Sequence, residues 1–502
     1  MNWIIWPFLL PILTALGCLL FFGLPTPKRR VLIAGSAVIQ FGLALYLASL
    51  AIGHTPLVLH VGDWSARVGI VLVLDGLSGI MLCLSTFVSL VCILFSYAEI
   101  SATNEQPLRL PLMQLLVAGI NLAFLTGDLF NLFVAFEIML VASYALLTLE
   151  ANNRDIKEAF PYLAVNLFGS TLFLIAAGLA YAVLGTLNFA EMAQRAASME
   201  MVFPLRMVVI LLMVVFGIKA GVFPLYYWLP NSYPILPFSL GAFYSGLLTK
   251  VGIYVMLRIL GTVFPHDLER LYMVLGWLAG FTMVLAVLGA VSRNYIRGIL
   301  SFHIVSQIGY MILAISFFTP FAITACIFYV MHHIIVKSTL FLIGGTAMFY
   351  NQSDQLEKMG GLWRASPFLS VCFLLQAFSL AGVPPLSGFW GKYMIIQAGL
   401  DESAYWLVSF ALITSILTLV SMLKIWNGAF WDDPPAEGRP GSPQFRIKAM
   451  IGIVGACTAL SLIIGVGAES FLKISQDAAD SLLDSVGYQA AVLEFRGKEA
   501  QP

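Results

Sequence analysis

The chain has 502 residues, of which 60% are hydrophobic and only 10% charged, and its 26 Lys and Arg balance 26 Asp and Glu to a net charge of zero. With a mean hydropathy of +0.92, this is the composition of an all-α polytopic membrane protein; it excludes a soluble domain, and the absence of a basic patch excludes nucleic acid as a partner. The six cysteines (Cys18, Cys83, Cys92, Cys326, Cys372 and Cys457) all fall in apolar segments without a CxxC pair, which predicts core packing rather than an iron–sulfur cluster, a metal site or a disulfide framework.

Spans of about 20 apolar residues start near Trp3, Val31, Leu74, Pro111, Leu129, Phe160, Phe203, Tyr233, Arg270, Arg297, Phe321, Pro367, Ala404 and Ile447, predicting about fourteen membrane helices. The first lacks a positive leader and a small-residue cleavage site, so it is expected to be retained. Between the second and third, Thr55 to Val73 alternates polar and apolar residues, which suits an extended loop or hairpin outside the membrane. Leu187 to Met199 is amphipathic and is expected on the surface. The tail from Glu469 to Pro502 has the alternation of an interfacial or partner-docking helix. If Pro25 to Arg30 (PTPKRR) is cytoplasmic, the inside loops collect fourteen basic residues. The outside set is then eight: Arg67, Arg195, Arg206, Arg258, Arg270, Lys473, Arg496 and Lys498. This bias puts both termini outside.

Four lysines belong to neither set: Lys219, Lys250, Lys337 and Lys392 lie inside apolar runs. An ammonium at that depth costs about 2.5–3.5 kcal/mol even on the lenient insertion scale, so each needs a purpose. Between the first two, Pro224, Pro230, Pro234 and Pro237 interrupt the backbone. Broken helices survive at bilayer depth only where they are buried in protein or line water, which points to an ion path. Ala220 to Leu225 (AGVFPL) in the seventh span recurs as Ala381 to Leu386 (AGVPPL) in the twelfth, with breaks at Pro224 and at Pro384 and Pro385. Five spans separate the copies, so the second runs the opposite way, as in inverted-repeat transporters.

The remaining buried polar residues extend the path. Glu137, mid-way along the fifth span, must be paired, hydrated or protonated; Lys219 is its natural partner, and the two form a candidate proton switch. Asp75 and Asp128 fall near span ends, where water is close. In the eleventh span Tyr329, His333 and Lys337 recur at i, i+4 and i+8 on one face, with His332 directed elsewhere. The tenth carries His303, Ser306, Gln307 and Tyr310 as a polar stripe. Imidazoles relay protons, and hydroxyls and amides hold water between carriers. A haem or metal reading is poorer, because no carboxylate or cysteine joins these histidines at ligand spacing. Lys392 follows the twelfth-span break and closes a series of ionisable groups; the alternative for it is a side chain snorkelling to the surface. No P-loop pattern is present, so gradients rather than nucleotide hydrolysis are the expected energy source, and the sequence describes a transporter component rather than an enzyme.

The FEIMLVASY stretch around Glu137, IKAGVFPLYYWLP after Lys219, LLTKVGIY around Lys250 and AGVPPLSGFWGK ending at Lys392 resemble the antiporter-like subunits shared by respiratory complex I and the multisubunit Mrp cation/proton antiporters. The likeness runs from about the third span to the thirteenth, and the length near 500 residues is most similar to the D-type Mrp branch. The resemblance implies two inverted five-helix repeats, at 108–262 and 263–430, preceded by three helices (1–107) and followed by a last helix and tail (431–502). It also implies a bacterial inner-membrane complex with other Mrp subunits (A, C and small subunits) that exchanges H⁺ for Na⁺. By motif match the family's ionisable residues fall on Glu137, Lys219, Lys250, His333 (with His332 competing) and Lys392, and less securely on Lys337. Two alternatives remain: a proton-pumping subunit of an NADH:quinone oxidoreductase, distinguished by its neighbouring genes, and a stand-alone carrier, which the shortage of other polar clusters disfavours.

Overall fold

The computed structural model describes residues 2–20, 25–149, 151–199, 202–264, 268–433 and 444–494. Of the basic residues counted above, Arg439, Arg496 and Lys498 lie outside the described residues, as does the end of the tail.

The chain is a bundle of helices in the order α1 (Trp6–Leu20), α2 (Thr26–Ala51), α3 (Gly76–Glu99), α4 (Arg109–Leu125), α5 (Leu129–Thr148), α6 (Asn153–Leu184), α7 (Phe189–Ala197), α8 (Phe203–Ala220), α9 (Trp228–Ser232), α10 (Phe238–Arg258), α11 (Glu269–Ser292), α12 (Ile296–Phe317), α13 (Pro320–Asn351), α14 (Leu362–Ala365), α15 (Pro367–Ala381), α16 (Ser387–Asp401), α17 (Tyr405–Ile425), α18 (Gln444–Val466), α19 (Ala468–Leu483) and α20 (Ser485–Leu493). Twelve helices among the described residues are long and apolar enough to cross a membrane; α4 and α15 are apolar but shorter. Every predicted span start lies within two turns of an observed helix start. The eighth span begins at Phe238 rather than Tyr233, because Tyr233–Ile235 forms a 3₁₀ turn held between Pro230 and Pro237.

Burial sorts these helices into centre and rim. The apolar windows of α10 and α13 are 100% buried and that of α12 is 94% buried, against 33% for the first span. The fully buried helices are those that carry Lys250, the two adjacent histidines and the polar stripe. α13 is the hub, packed on α3, α10, α12, α15, α16, α18 and α19.

The predicted hairpin is present: β1 (Leu57–His60) pairs antiparallel with β2 (Val71–Leu74). The amphipathic segment forms α7, with Phe189, Ala190, Met192, Ala193 and Ala196 buried. The tail docks on its own chain. α19 packs on α3 and α13 and α20 on α7, burying Ala478, Ala479, Leu482 and Tyr488. Loops assigned to one side of the membrane touch one another: Arg446 donates to Ala98 O and Glu99 O, Arg297 pairs with Asp354 at 2.7 Å, and Lys424 donates to Arg293 O.

Two expectations need correction. Arg258, counted with an exposed loop, is 3% exposed, and Asp75, expected near water, is fully buried. They form a forked ion pair, Arg258 donating at 2.5 and 2.9 Å to the two Asp75 oxygens. Asp75 also accepts from Ser78 N at 2.9 Å, capping α3, while Tyr254 and Tyr488 lie against the guanidinium. Distant segments thus supplied the counter-charge that a linear scan of loops treats as solvent. Asp128 likewise caps α5 through Asn131 N, at 2.8 Å. Removing one member of a buried pair leaves an uncompensated charge, at about 3–5 kcal/mol. Arg258→Met is therefore expected to lower the thermal unfolding midpoint of the purified protein. Combining it with Asp75→Leu should recover the loss except for the cap's share of about 1 kcal/mol.

Candidate functional site

Glu137 sits mid-way along α5, partly buried, and its Oε1 is shielded from solvent without a hydrogen-bond partner among the described residues. Lys219 occupies the last turn of α8. Its Nζ donates to Asn166 O and to Ser170 Oγ of α6, both at 3.1 Å, and lies 5.7 Å from the ring of Phe136, the neighbour of Glu137. The two charges are within electrostatic reach but close no ion pair among the described residues. A carboxylate near an ammonium, with its shielded oxygen unbonded, is free to approach or withdraw.

α8 ends beside Lys219 because Gly221 takes φ +81°, a left-handed conformation that costs a glycine little. Its N–H and that of Val222 then return to Gly217 O, and Leu225 N bonds Val222 O. The second copy repeats this arrangement atom for atom: Gly382 at φ +94°, Gly382 and Val383 N–H to Phe378 O, and Leu386 N to Val383 O. The Phe223–Pro224 and Pro384–Pro385 peptide bonds are both cis. The helices after the breaks correspond too, since α10 runs into a π-helical turn at Ile259–Val263 and α17 into one at Trp426–Trp431.

Between the breaks lies a compartment of like groups. Lys250 donates to Ser245 O one turn back on α10. Among the described residues Lys337 has no hydrogen-bond partner at Nζ, and it faces the ring of Phe341 at 5.8 Å. His333 stacks on Tyr329 at 6.3 Å, with neither ring nitrogen bonded among the described residues, and lies within electrostatic reach of Lys250, Lys337 and Lys392. The predicted face of Tyr329, His333 and Lys337 is therefore present. His332 does point elsewhere: its Nδ1 shares a 2.8 Å bond with Ser387 Oγ, which bonds Ser379 Oγ across the twelfth-span break.

Lys392 does not snorkel. It is 3% exposed, donates to Ala381 O at 3.2 Å and Ser415 Oγ at 2.9 Å, and lies 4.5 Å from the ring of Tyr310. The polar stripe of α12 connects onward from there. Tyr310 OH donates to Ala411 O at 2.5 Å; Tyr329 OH donates to Gln307 Oε1 at 2.5 Å; Gln307 Nε2 reaches Ser306 Oγ at 2.9 Å; His303 Nε2 shares a 2.6 Å bond with Ser421 Oγ. Hydroxyls and amides thus join the second-half groups, and each side chain here can pass a proton or hold a water that does.

Sequence reasoning missed the serine and threonine partners. Thr414, Thr418 and Ser421 recur at i, i+4 and i+7 on one buried face of α17, a helical polar stripe as regular as the one recognised in α12. Ser415 and Ser170, which hold Lys392 and Lys219, carry no such signal.

A family model described as NADH:quinone oxidoreductase/Mrp antiporter, TM, matches residues 126–418. The chain is 40% identical to the D-type Na⁺/H⁺ antiporter subunit of Alkalihalophilus pseudofirmus, over 98% of this chain and 99% of that one. Among solved structures it is similar to a chain of the Mrp complex from Dietzia sp., with 34% identity, a TM-score of 0.91, and coverage of 98% and 100%. A chain of respiratory complex I from Thermus thermophilus shares the fold at 23% identity, with a TM-score of 0.81 over 96% and 99%.

The break in the twelfth span is tightly built. A Cβ on Gly388 would collide with Ser379 O and come within 2.8 Å of the His332 ring. Gly388→Ala is expected to cost about 1–3 kcal/mol, measured as a lowered unfolding midpoint, whereas Gly178→Ala, inside α6 with nothing within 4 Å of its new methyl, keeps or raises the midpoint.

Proposed function

The chain belongs to the family of NADH:quinone oxidoreductase/Mrp antiporter membrane subunits, and from that premise we propose that it is the D-type subunit of an Mrp-type Na⁺/H⁺ antiporter, working in a bacterial inner membrane among other Mrp subunits. Protons travel along Glu137, Lys219, Lys250, His333, Lys337 and Lys392, with His332 holding the second break, and exchange for Na⁺ carried elsewhere in the complex. The observation that carries this reading is that four intramembrane lysines are almost wholly withdrawn from the surface, at 4% exposure or less, and close no ion pair among the described residues: Lys219, Lys250 and Lys392 donate to backbone carbonyls and serine hydroxyls, and Lys337 faces the ring of Phe341. Lysines that merely riveted helices together would be met by carboxylates.

The equivalent breaks after α8 and α15, and the π turns after α10 and α17, support two inverted repeats at 108–262 and 263–430. The basic bias of one set of loops supports placing both termini outside. A redox-complex subunit would use the same row, but its likeness is at 23% identity against 40% for the antiporter subunit.

In vesicles bearing the assembled complex, Glu137→Ala and Lys219→Ala are each expected to abolish Na⁺-dependent proton movement while leaving assembly intact; near-normal exchange by either refutes the row. Lys392→Ala is expected to impair exchange more than Arg293→Ala, a loop position. Equal losses would reduce Lys392 to an anchor. Proton movement that persists unchanged without Na⁺ would favour redox pumping.

A further inference from the structure

A cavity of about 270 Å³ opens where the connectors after α3, α5 and α9 meet, bounded by Glu99, Arg109, Leu146, Ile235, Phe238 and Arg297. Charged groups line it. Glu99 accepts from Phe238 N at 2.7 Å and from Ser239 Oγ at 2.5 Å, and Arg109 donates to the same Ser239 Oγ at 2.9 Å. One helical turn deeper than its apolar lining, both α5 and α10 turn polar. Ser143 and Tyr144 follow Leu146 and Leu147 inward, and Tyr244 follows Leu240.

These residues form a cluster with Tyr162 of α6 and Tyr233. Tyr162 OH shares a 2.7 Å bond with Ser143 Oγ, and Tyr244 OH donates to Ser143 O at 2.8 Å. The Tyr162 ring lies 5.4 Å from Tyr144 and 6.4 Å from Tyr233, and its hydroxyl is within electrostatic reach of both. The hydroxyls of Tyr144 and Tyr233 are buried with no hydrogen-bond partner among the described residues. Purely structural tyrosines in a span satisfy their hydroxyls on nearby carbonyls, as Tyr244 does. Two orphans, Tyr233 two residues from the cavity-lining Ile235 and Tyr144 three from Leu147, are positions where water completes a chain.

The inward end of that chain is Glu137. Tyr144 is seven residues beyond it on α5, two turns and about 10 Å along the axis, on the same face. Both side chains lean toward the N-terminus of α5, so this spacing persists and water must bridge it; the two are within electrostatic reach.

We propose that Tyr233, Tyr162 with Ser143, and Tyr144 are a ladder of hydroxyls that carries protons between the Glu99/Arg109/Arg297 cavity and Glu137. Each hydroxyl accepts a proton from one side as it donates its own to the next oxygen, so none changes its charge between transfers and no oxidant is required. Glu137 is the first group on the route that keeps the proton. The proposal rests on the proton row described above and names its opening on one face.

The test is turnover of Na⁺-dependent proton movement in vesicles bearing the whole complex, in H₂O and D₂O, for Tyr144→Phe, Tyr233→Phe and Lys219→Ala. The phenylalanines keep each ring and its packing, and complex yield checks assembly. Both are expected to lower turnover roughly tenfold or more and to enlarge the solvent isotope effect, because delivery becomes limiting; a packing role changes neither. If Lys219→Ala abolishes exchange but both phenylalanine variants keep wild-type turnover and isotope effect, the ladder is overturned while the row stands. If Lys219→Ala exchanges normally, the row fails and the ladder with it.

Discussion

A positive charge withdrawn into the bilayer is stabilised by oxygen, and this chain supplies it from backbone carbonyls to three of its four intramembrane lysines. Lys219 donates to Asn166 O, Lys250 to Ser245 O and Lys392 to Ala381 O. Ala381 O is available because α15 stops there, and α15 stops because Gly382 turns left-handed. At Lys392 the helix break and the buried ammonium group are therefore one device. Carbonyls hold a lysine without neutralising it, as a carboxylate would, and so leave its proton available for transfer. Where the structure does want a charge cancelled, it uses the forked Asp75–Arg258 pair instead.

Much of this was readable in the amino-acid order, for a physical reason. A span is a long local pattern, and an intramembrane charge or proline stands out against it, so Lys219, Lys250, Lys337 and Lys392 could be separated from every other basic residue. The recurrence of AGVFPL as AGVPPL extended to matching glycine dihedrals and matching hydrogen bonds. Pairings between distant segments were not readable. Nothing near Arg258 in the chain announces Asp75, and nothing near Lys392 announces Ser415, because those contacts are made by packing rather than by periodicity. The docked tail is similar: its alternation marks an amphipathic helix, but only the fold shows that α19 covers α3 and α13.

The centre-to-rim arrangement follows from the same economy. The helices with the most buried polar atoms, α10, α12 and α13, are those screened from lipid on all sides. The spans at the rim, such as α1, α2 and α17, turn residues such as Leu13, Ile39 and Ile416 outward, and α17 keeps Thr414, Thr418 and Ser421 inward.

That Glu137, Lys250 and Lys337 all sit near the middle of their helices carries an electrical corollary for the proposed row. Displacement between sites at one depth traverses no fraction of the transmembrane voltage and so performs no electrical work. The roughly 2.3 kcal/mol per unit charge that 100 mV represents falls instead on the two legs joining the row to either face. Sensitivity of the overall rate to voltage would then report on those vertical legs alone.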